Sequence, residues 1–266
     1  MREVGTQRIA KSSWRKIDPW RLFEQVVLVT GGSRGLGRAI AFDVADRGGT
    51  VAITYLKSGE EAEAIAGEIN DAGGKAVAYQ ADVRDLASME RVIRQITDHF
   101  GRLTGVVNNA GIIRDKALMM MTDEDWRVVL ETNLTGVFNT CRSGIVTLMK
   151  QRHGRIVNIA SVSGLVGVAG QVNYSSSKAG IIGLTRALAK EVAAYGVTVN
   201  AVAPGYIDVG MATALTNQQK QKAIGEIGVG RFGTQEEVAC LVSYLLSDAA
   251  AYITGQVITI DGGLSL

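Results

Sequence analysis

The chain is short of proline, cysteine and histidine: two of each in 266 residues. Proline interrupts helices and inner strands, so its scarcity suits long unbroken elements. Cys141 and Cys240 lie far apart in sequence, which excludes a disulfide framework and any metal-ligand spacing between them. With only His99 and His153 beside them, no His/Cys metal cluster is expected, and the metal assignment is none. No apolar run reaches the ~18 residues of a membrane span. The N-terminus lacks the apolar core of a secretory signal, so a cytoplasmic location is expected. A formal charge of +2 argues against a dedicated nucleic-acid binder.

Glycine is abundant, with 32 residues, and 47% of the chain is hydrophobic. The length supports one large α/β domain with a sizeable core. Residues 1–24 stand apart. They carry Arg2, Arg8, Lys11, Arg15, Lys16 and Arg21 against Glu3, Asp18 and Glu24, with Trp14, Trp20 and Phe23. This reads as a basic extension, flexible or docking to an acidic partner, with Pro19 as the boundary mark. A targeting peptide fits less well because such peptides are poor in acids. Residues 25–266 read as a single domain.

From Gln25 onward, short apolar β-branched runs alternate with helical patterns. Strands are expected at Val26–Thr30, Val51–Tyr55, Lys75–Gln80, Leu103–Asn108, Arg155–Ala160, Thr198–Ala203 and Val257–Ile260. Helices are expected at Arg38–Arg47, Glu60–Asp71, Leu86–Phe100, Asp125–Lys150 with a break near Asn133, Asn173–Tyr195 and Gln235–Ser247. The alternation implies βαβ units: a doubly wound, Rossmann-type, seven-stranded parallel sheet with helices on both faces.

Thr30-Gly31-Gly32-Ser33-Arg34-Gly35-Leu36-Gly37 follows the first strand and opens the first helix. Glycines there let the backbone approach a pyrophosphate, and a helix N-terminus offers free N–H groups. The loop lacks the G-K-[ST] ending of an ATP-binding loop. An acid about 20 residues beyond the glycines would hold the ribose 2′-OH of NAD. The second strand instead ends Thr54-Tyr55-Leu56-Lys57-Ser58, with Glu60 and Glu61 only later. Arg34 and Lys57 suit a 2′-phosphate, so NADP(H) is the expected cofactor.

Tyr174 and Lys178, four apart near the start of a helix, share one face. A nearby cation lowers a phenol's pKa, which makes Tyr174 a candidate acid/base group. Such a pair also arises by chance or as a surface pair. Ser161 and Ser163 follow the fifth strand, where open parallel sheets bind ligands. Asn133 falls at the helix break. Asp82 reads equally as a cap of the third helix. His153 reads as an exposed turn residue. Met119, Met120 and Met121 read either as core or lid packing or as the rim of a substrate entrance.

These motifs together resemble a short-chain dehydrogenase/reductase of the classical type. They are T-G-x-x-x-G-x-G at Thr30–Gly37, Asn108-Asn109-Ala110-Gly111, Asn133, Ser161, Tyr174 with Lys178, and Pro204-Gly205. Within that family, Asn108–Asp115, Arg152–Val157, Gly230–Glu237 and Tyr252–Gly255 are most similar to the 3-oxoacyl-[acyl-carrier-protein] reductases. The resemblance implies that Tyr174 donates a proton to a forming alkoxide and Ser161 orients the substrate carbonyl. It implies that Lys178 assists Tyr174 and holds the nicotinamide ribose, and that Asn133 holds a water linking Lys178 to solvent. For the cofactor it implies Gly31, Ser33, Arg34, Gly35, Leu36, Gly37, Tyr55, Lys57 and Ser58. It adds Asp82 and Val83 at the adenine, Asn109 with Ala110 and Gly111 at the ribose, and Pro204, Gly205 and Ile207 near the nicotinamide.

It further implies NADPH-dependent reduction of a 3-oxoacyl thioester to the 3-hydroxyacyl thioester, in fatty-acid or polyketide-type biosynthesis, by a homotetramer. Acyl carrier protein is the implied partner, docked by Arg152 with Lys150, Arg155 and the basic extension. Two positions depart from the family pattern. Val209 stands where a cofactor-contacting threonine is usual, followed by Gly210, and Tyr195 replaces a second docking arginine. An acetoacetyl-CoA reductase or other small ketone/alcohol oxidoreductase remains open. A non-catalytic partner subunit is the remote alternative.

Overall fold

The computed structural model describes residues 20–209 and 216–266. Its elements, in chain order, are β1 (Val26–Thr30), α1 (Gly35–Asp46), β2 (Thr50–Tyr55), α2 (Gly59–Asp71), β3 (Lys75–Gln80), α3 (Leu86–Phe100), β4 (Gly105–Asn108), α4 (Asp123–Leu130), α5 (Gly136–Gln151), β5 (Gly154–Ile159), α6 (Ser163–Val166), α7 (Val172–Val192), β6 (Val197–Pro204), α8 (Asn217–Glu226), α9 (Gln235–Leu246) and β7 (Val257–Ile260). The strands form one seven-stranded parallel sheet in the order β3-β2-β1-β4-β5-β6-β7. This is the expected Rossmann-type arrangement.

The apolar runs are continuous because the sheet is covered on both faces. Successive side chains of β1 point to opposite sides. Val26 and Leu28 pack with Met89, Ile96, Leu148 and Ile181 from α3, α5 and α7. Val27 and Val29 pack with Ile40, Val44, Ile65 and Leu245 from α1, α2 and α9. The sheet changes winding direction between β1 and β4. Open sheets present a crevice at the carboxyl ends of their strands at such a point.

The last residues of the basic extension are part of this body. Leu22 is fully buried, and its N–H donates to the Arg47 oxygen at 2.9 Å. The Trp20 ring lies tilted against Tyr244, with centroids 5.0 Å apart. The extension expected over residues 1–24 is held at its end, since burying Leu22 anchors the segment to α1 and α9. Arg21 lies over the Phe23 ring, while Arg2, Arg8, Lys11, Arg15 and Lys16, with Trp14, Asp18 and Pro19, lie outside the described residues.

The structure refines several boundaries. The expected break near Asn133 is a π-turn, Glu131–Thr135, which carries the backbone from α4 into α5 without interrupting it. α1 begins at Gly35, inside the glycine loop. α6 and α8 were not expected from the pattern. α8 buries only Ala223, so it carries no apolar stripe, but Thr216 and Gln219 close a capping box at its start. His153 is half-buried rather than an exposed turn residue, because its Nε2 meets the Gln25 side chain at 3.2 Å.

Candidate active site

A cavity of about 1040 Å³ opens at the carboxyl ends of the strands. Its wall contains every expected cofactor residue except Asp82, together with Ser161, Tyr174 and Lys178. Asp82 is turned to Arg84, whose guanidinium grips both carboxylate oxygens, the closer at 2.6 Å. That hydrogen bond holds the Asp82 carboxyl below its ordinary pKa. Nor does Asp82 cap α3; Asp85 does, accepting from the Ala87 N–H at 3.0 Å.

The glycine loop is tightly constrained. Gly31 and Gly35 have φ of +63° and +53°, backbone conformations that glycine adopts without strain. A Cβ on Gly37 would lie 2.3 Å from the Gly31 oxygen. The N-terminus of α1 has no side-chain cap, which leaves its first N–H groups available to an anion. Asn109 braces the loop by donating from Nδ2 to the oxygens of Thr30 and Gly31 at 3.0 and 3.1 Å. Thr30 Oγ1 in turn accepts from the backbone N–H groups of Asn109 and Ala110. Such a cradle fits a dinucleotide pyrophosphate. At its outer end, Arg34 and Lys57 have no ion-pair partner among the described residues.

Tyr174 and Lys178 share one face of α7. Lys178 Nζ donates to the Ile159 oxygen at 2.7 Å and stands 5.5 Å from the centre of the Tyr174 ring. Burial lowers the Lys178 pKa to about 8. Burial also raises that of Tyr174 to about 12, while Ser161 opposes the rise and the Asp115 charge adds to it. The expectation that a neighbouring cation depresses the phenol is therefore corrected: burial disfavours the phenolate and outweighs any attraction to Lys178.

Asn133 is fully buried and outside the cavity wall. Its Oδ1 accepts from Ile112 N–H at 2.8 Å, and Nδ2 donates to Ile112 O and Ser177 Oγ. The carboxamide thus locks the loop after β4 to α7. Asn173, which the motifs did not single out, does the same one turn away. Its Nδ2 donates to the oxygens of Arg114 and Asp125, and its Oδ1 accepts from Tyr174 N–H. Only its place beside Tyr174 signalled this role. Ile112, Arg114, Thr132 and Tyr206 also line the cavity unforeseen. Ile112, Arg114 and Tyr206 follow strand ends and Thr132 sits in the π-turn, places that periodicity alone does not distinguish.

Arg152 is exposed, as docking requires, and its guanidinium reaches the Ala194 oxygen at 3.2 Å. Arg155 is not available to a docking patch. It is 4% exposed and pairs with Asp248 at 3.0 Å. Leu118, Met119 and Met120 form an exposed 3-10 turn, so core packing is excluded for Met119 and Met120. Val209 lines the cavity near Gly35, while Gly210 lies outside the described residues. Among the described residues no group of three His, Cys, Asp or Glu side chains is placed to hold a metal, and no helix is long and apolar enough to cross a membrane.

Residues 31–265 match the family described as enoyl-(acyl carrier protein) reductase. The chain is 46% identical over 237 residues to the 3-oxoacyl-[acyl-carrier-protein] reductase FabG of Staphylococcus aureus strain Mu50, covering 89% of this chain and 96% of that protein. It is 46% identical over 245 residues to the 3-oxoacyl-[acyl-carrier-protein] reductase of Synechocystis, covering 91% and 98%. The FabG protein of Escherichia coli K12 is 45% identical over 240 residues, covering 90% and 97%. With this sheet order and this cavity, the chain belongs to the short-chain dehydrogenase/reductase family of oxidoreductases.

Proposed function

We propose that the chain reduces the ketone of a 3-oxoacyl thioester carried on acyl carrier protein to the 3-hydroxyacyl thioester, with NADPH as reductant. The observation that carries this reading is the convergence of Ser161, Tyr174 and Lys178 on the wall of the cavity that also holds the glycine cradle. The names of the curated relatives support the substrate class.

The cradle of Gly31, Gly35 and Gly37 and the open N-terminus of α1 would hold the pyrophosphate. Arg34 and Lys57 would pair with a 2′-phosphate, which supports NADP(H) over NAD(H). The bound nicotinamide would supply hydride to the carbonyl carbon. Ser161 donates its hydroxyl hydrogen to the substrate oxygen and orients it. Tyr174 donates its phenolic proton as that oxygen becomes an alkoxide. With its pKa raised to about 12, Tyr174 is protonated at neutral pH. An aliphatic alkoxide is far more basic than a phenolate, so the transfer runs downhill even from a phenol so shifted. Lys178 places positive charge behind the ring and stabilises the phenolate left after transfer. Asn133 and Asn173 hold the loop after β4 against α7 and so fix the width of the site.

The family description names enoyl reduction, which delivers a proton to carbon instead. Two hydroxyl donors on one cavity wall favour an oxygen as the proton's destination. Arg152 is the docking residue, and association of four copies remains part of the proposal. Incubation with NADPH and acetoacetyl-acyl carrier protein tests the reading through product identity. Formation of 3-hydroxybutyryl carrier protein supports it; turnover of crotonyl carrier protein alone would replace it with the enoyl reading.

A further inference from the structure

A series of hydrogen bonds tethers the turn at Ser161 from outside the cavity. The Asp115 carboxylate, when ionised, can only accept. Gln171 Nε2 donates to Asp115 Oδ2 at 2.7 Å. That orientation leaves Gln171 Oε1 as an acceptor, and it receives the Ser163 hydroxyl at 3.0 Å. The Ser163 backbone N–H donates to Ser161 Oγ at 3.1 Å. Ser161 thus accepts on the Ser163 side and keeps its own O–H for the cavity that it lines.

The alternative roles of Gln171 are weak. It occupies the N-cap position of α7, yet its side chain makes no capping hydrogen bond. Glutamine is also outside the short side chains favoured there. The residue is 8% exposed, with both ends of its amide engaged. Without the Gln171 oxygen, the turn that carries the Ser163 N–H to Ser161 Oγ loses its side-chain tether to the start of α7.

We propose that Gln171 and Asp115 are positioning residues that hold the Ser163 turn in place, so that its backbone N–H stays on Ser161 Oγ and the Ser161 hydroxyl is left to donate to the substrate oxygen. This rests on the reading of Ser161 as the carbonyl-orienting group. The effect falls on the reacting oxygen, so it is expressed in kcat rather than KM.

The test exchanges the donor and acceptor ends of the pair. Gln171→Glu keeps the size of the side chain but sets an acceptor against the Asp115 carboxylate. The double variant Asp115→Asn/Gln171→Glu restores donor-to-acceptor order with the amide moved to the other residue. With NADPH and an acetoacetyl thioester, Gln171→Glu is expected to lose at least tenfold in kcat, with KM within about threefold. The double variant is expected to regain kcat to within about threefold of the wild type. Should Gln171→Glu fail to fold, Gln171→Met removes both polar ends and is expected to show the same loss. Wild-type kcat in the variant that folds overturns the proposal, as does a folded double variant no faster than the single one. A wild-type chain that reduces no ketone overturns the functional reading itself, which distinguishes the two failures.

Discussion

Lys178 donates its Nζ hydrogen to the Ile159 oxygen at 2.7 Å and thereby ties the second turn of α7 to the end of β5. The ammonium is 4% exposed. A buried cation whose one hydrogen-bond partner among the described residues is a carbonyl costs stability that the fold supplies elsewhere, and its pKa of about 8 reflects that cost.

Lys178→Met is expected to abolish reduction while stabilising the protein at pH 7 by about 1–3 kcal/mol, or a few degrees in Tm. The sign follows from the lowered pKa. The penalty is complete below about pH 8, shrinks as pH rises from about 8 towards the ordinary lysine value, and vanishes above it. Thermal unfolding of both proteins from pH 7 to 10.5 checks this. A Tm advantage that stays constant or grows with pH would contradict it.

Tyr174→Phe is expected to reduce kcat by at least about a thousandfold, since the proton donor is lost, with Tm and cofactor affinity little changed. Steady-state NADPH oxidation and cofactor titration measure the two. Retained turnover would remove Tyr174 from the mechanism.

On the proposed reading, Arg34 and Lys57 would meet a 2′-phosphate. Lys57→Glu is expected to raise KM for NADPH by about tenfold or more and to leave KM for NADH unchanged or lower. Equal changes for both cofactors would detach Lys57 from the phosphate.

Arg152 and Arg155 are expected to separate by assay. Arg152→Glu raises KM for a carrier-bound substrate with Tm unchanged. Arg155→Ala lowers stability by about 2 kcal/mol, because the Gly196 oxygen and Asp248 lose their partner. Identical behaviour of the two variants would contradict the division between surface docking and internal support.

The fold was legible wherever burial imposes a simple rule. Val26–Thr30 and Arg155–Ala160 announce themselves because both faces of their strands are covered. α8 does not, because Asn217–Glu226 packs almost nothing and only its capping box marks its start. The cavity wall was legible at the glycines, Ser161, Tyr174 and Lys178, whose chemistry is tied to their spacing. The supports Asn173 and Gln171 were not, since an amide that bridges two loops leaves no periodic trace. The direction of the Tyr174 shift was misread because proximity to Lys178 can be inferred from four-residue spacing, whereas burial cannot. Arg155 was misread in the same way: its charge is visible in the sequence, and its enclosure with Asp248 is not.

Reduction of a carrier-bound 3-oxoacyl chain is measured by steady-state NADPH oxidation against two matched acetoacetyl thioesters, one on coenzyme A and one on acyl carrier protein. A much higher kcat/KM on the carrier is expected, an advantage that Arg152→Glu diminishes. Equal or better use of the coenzyme A thioester would contradict carrier docking and favour an acetoacetyl-CoA reductase.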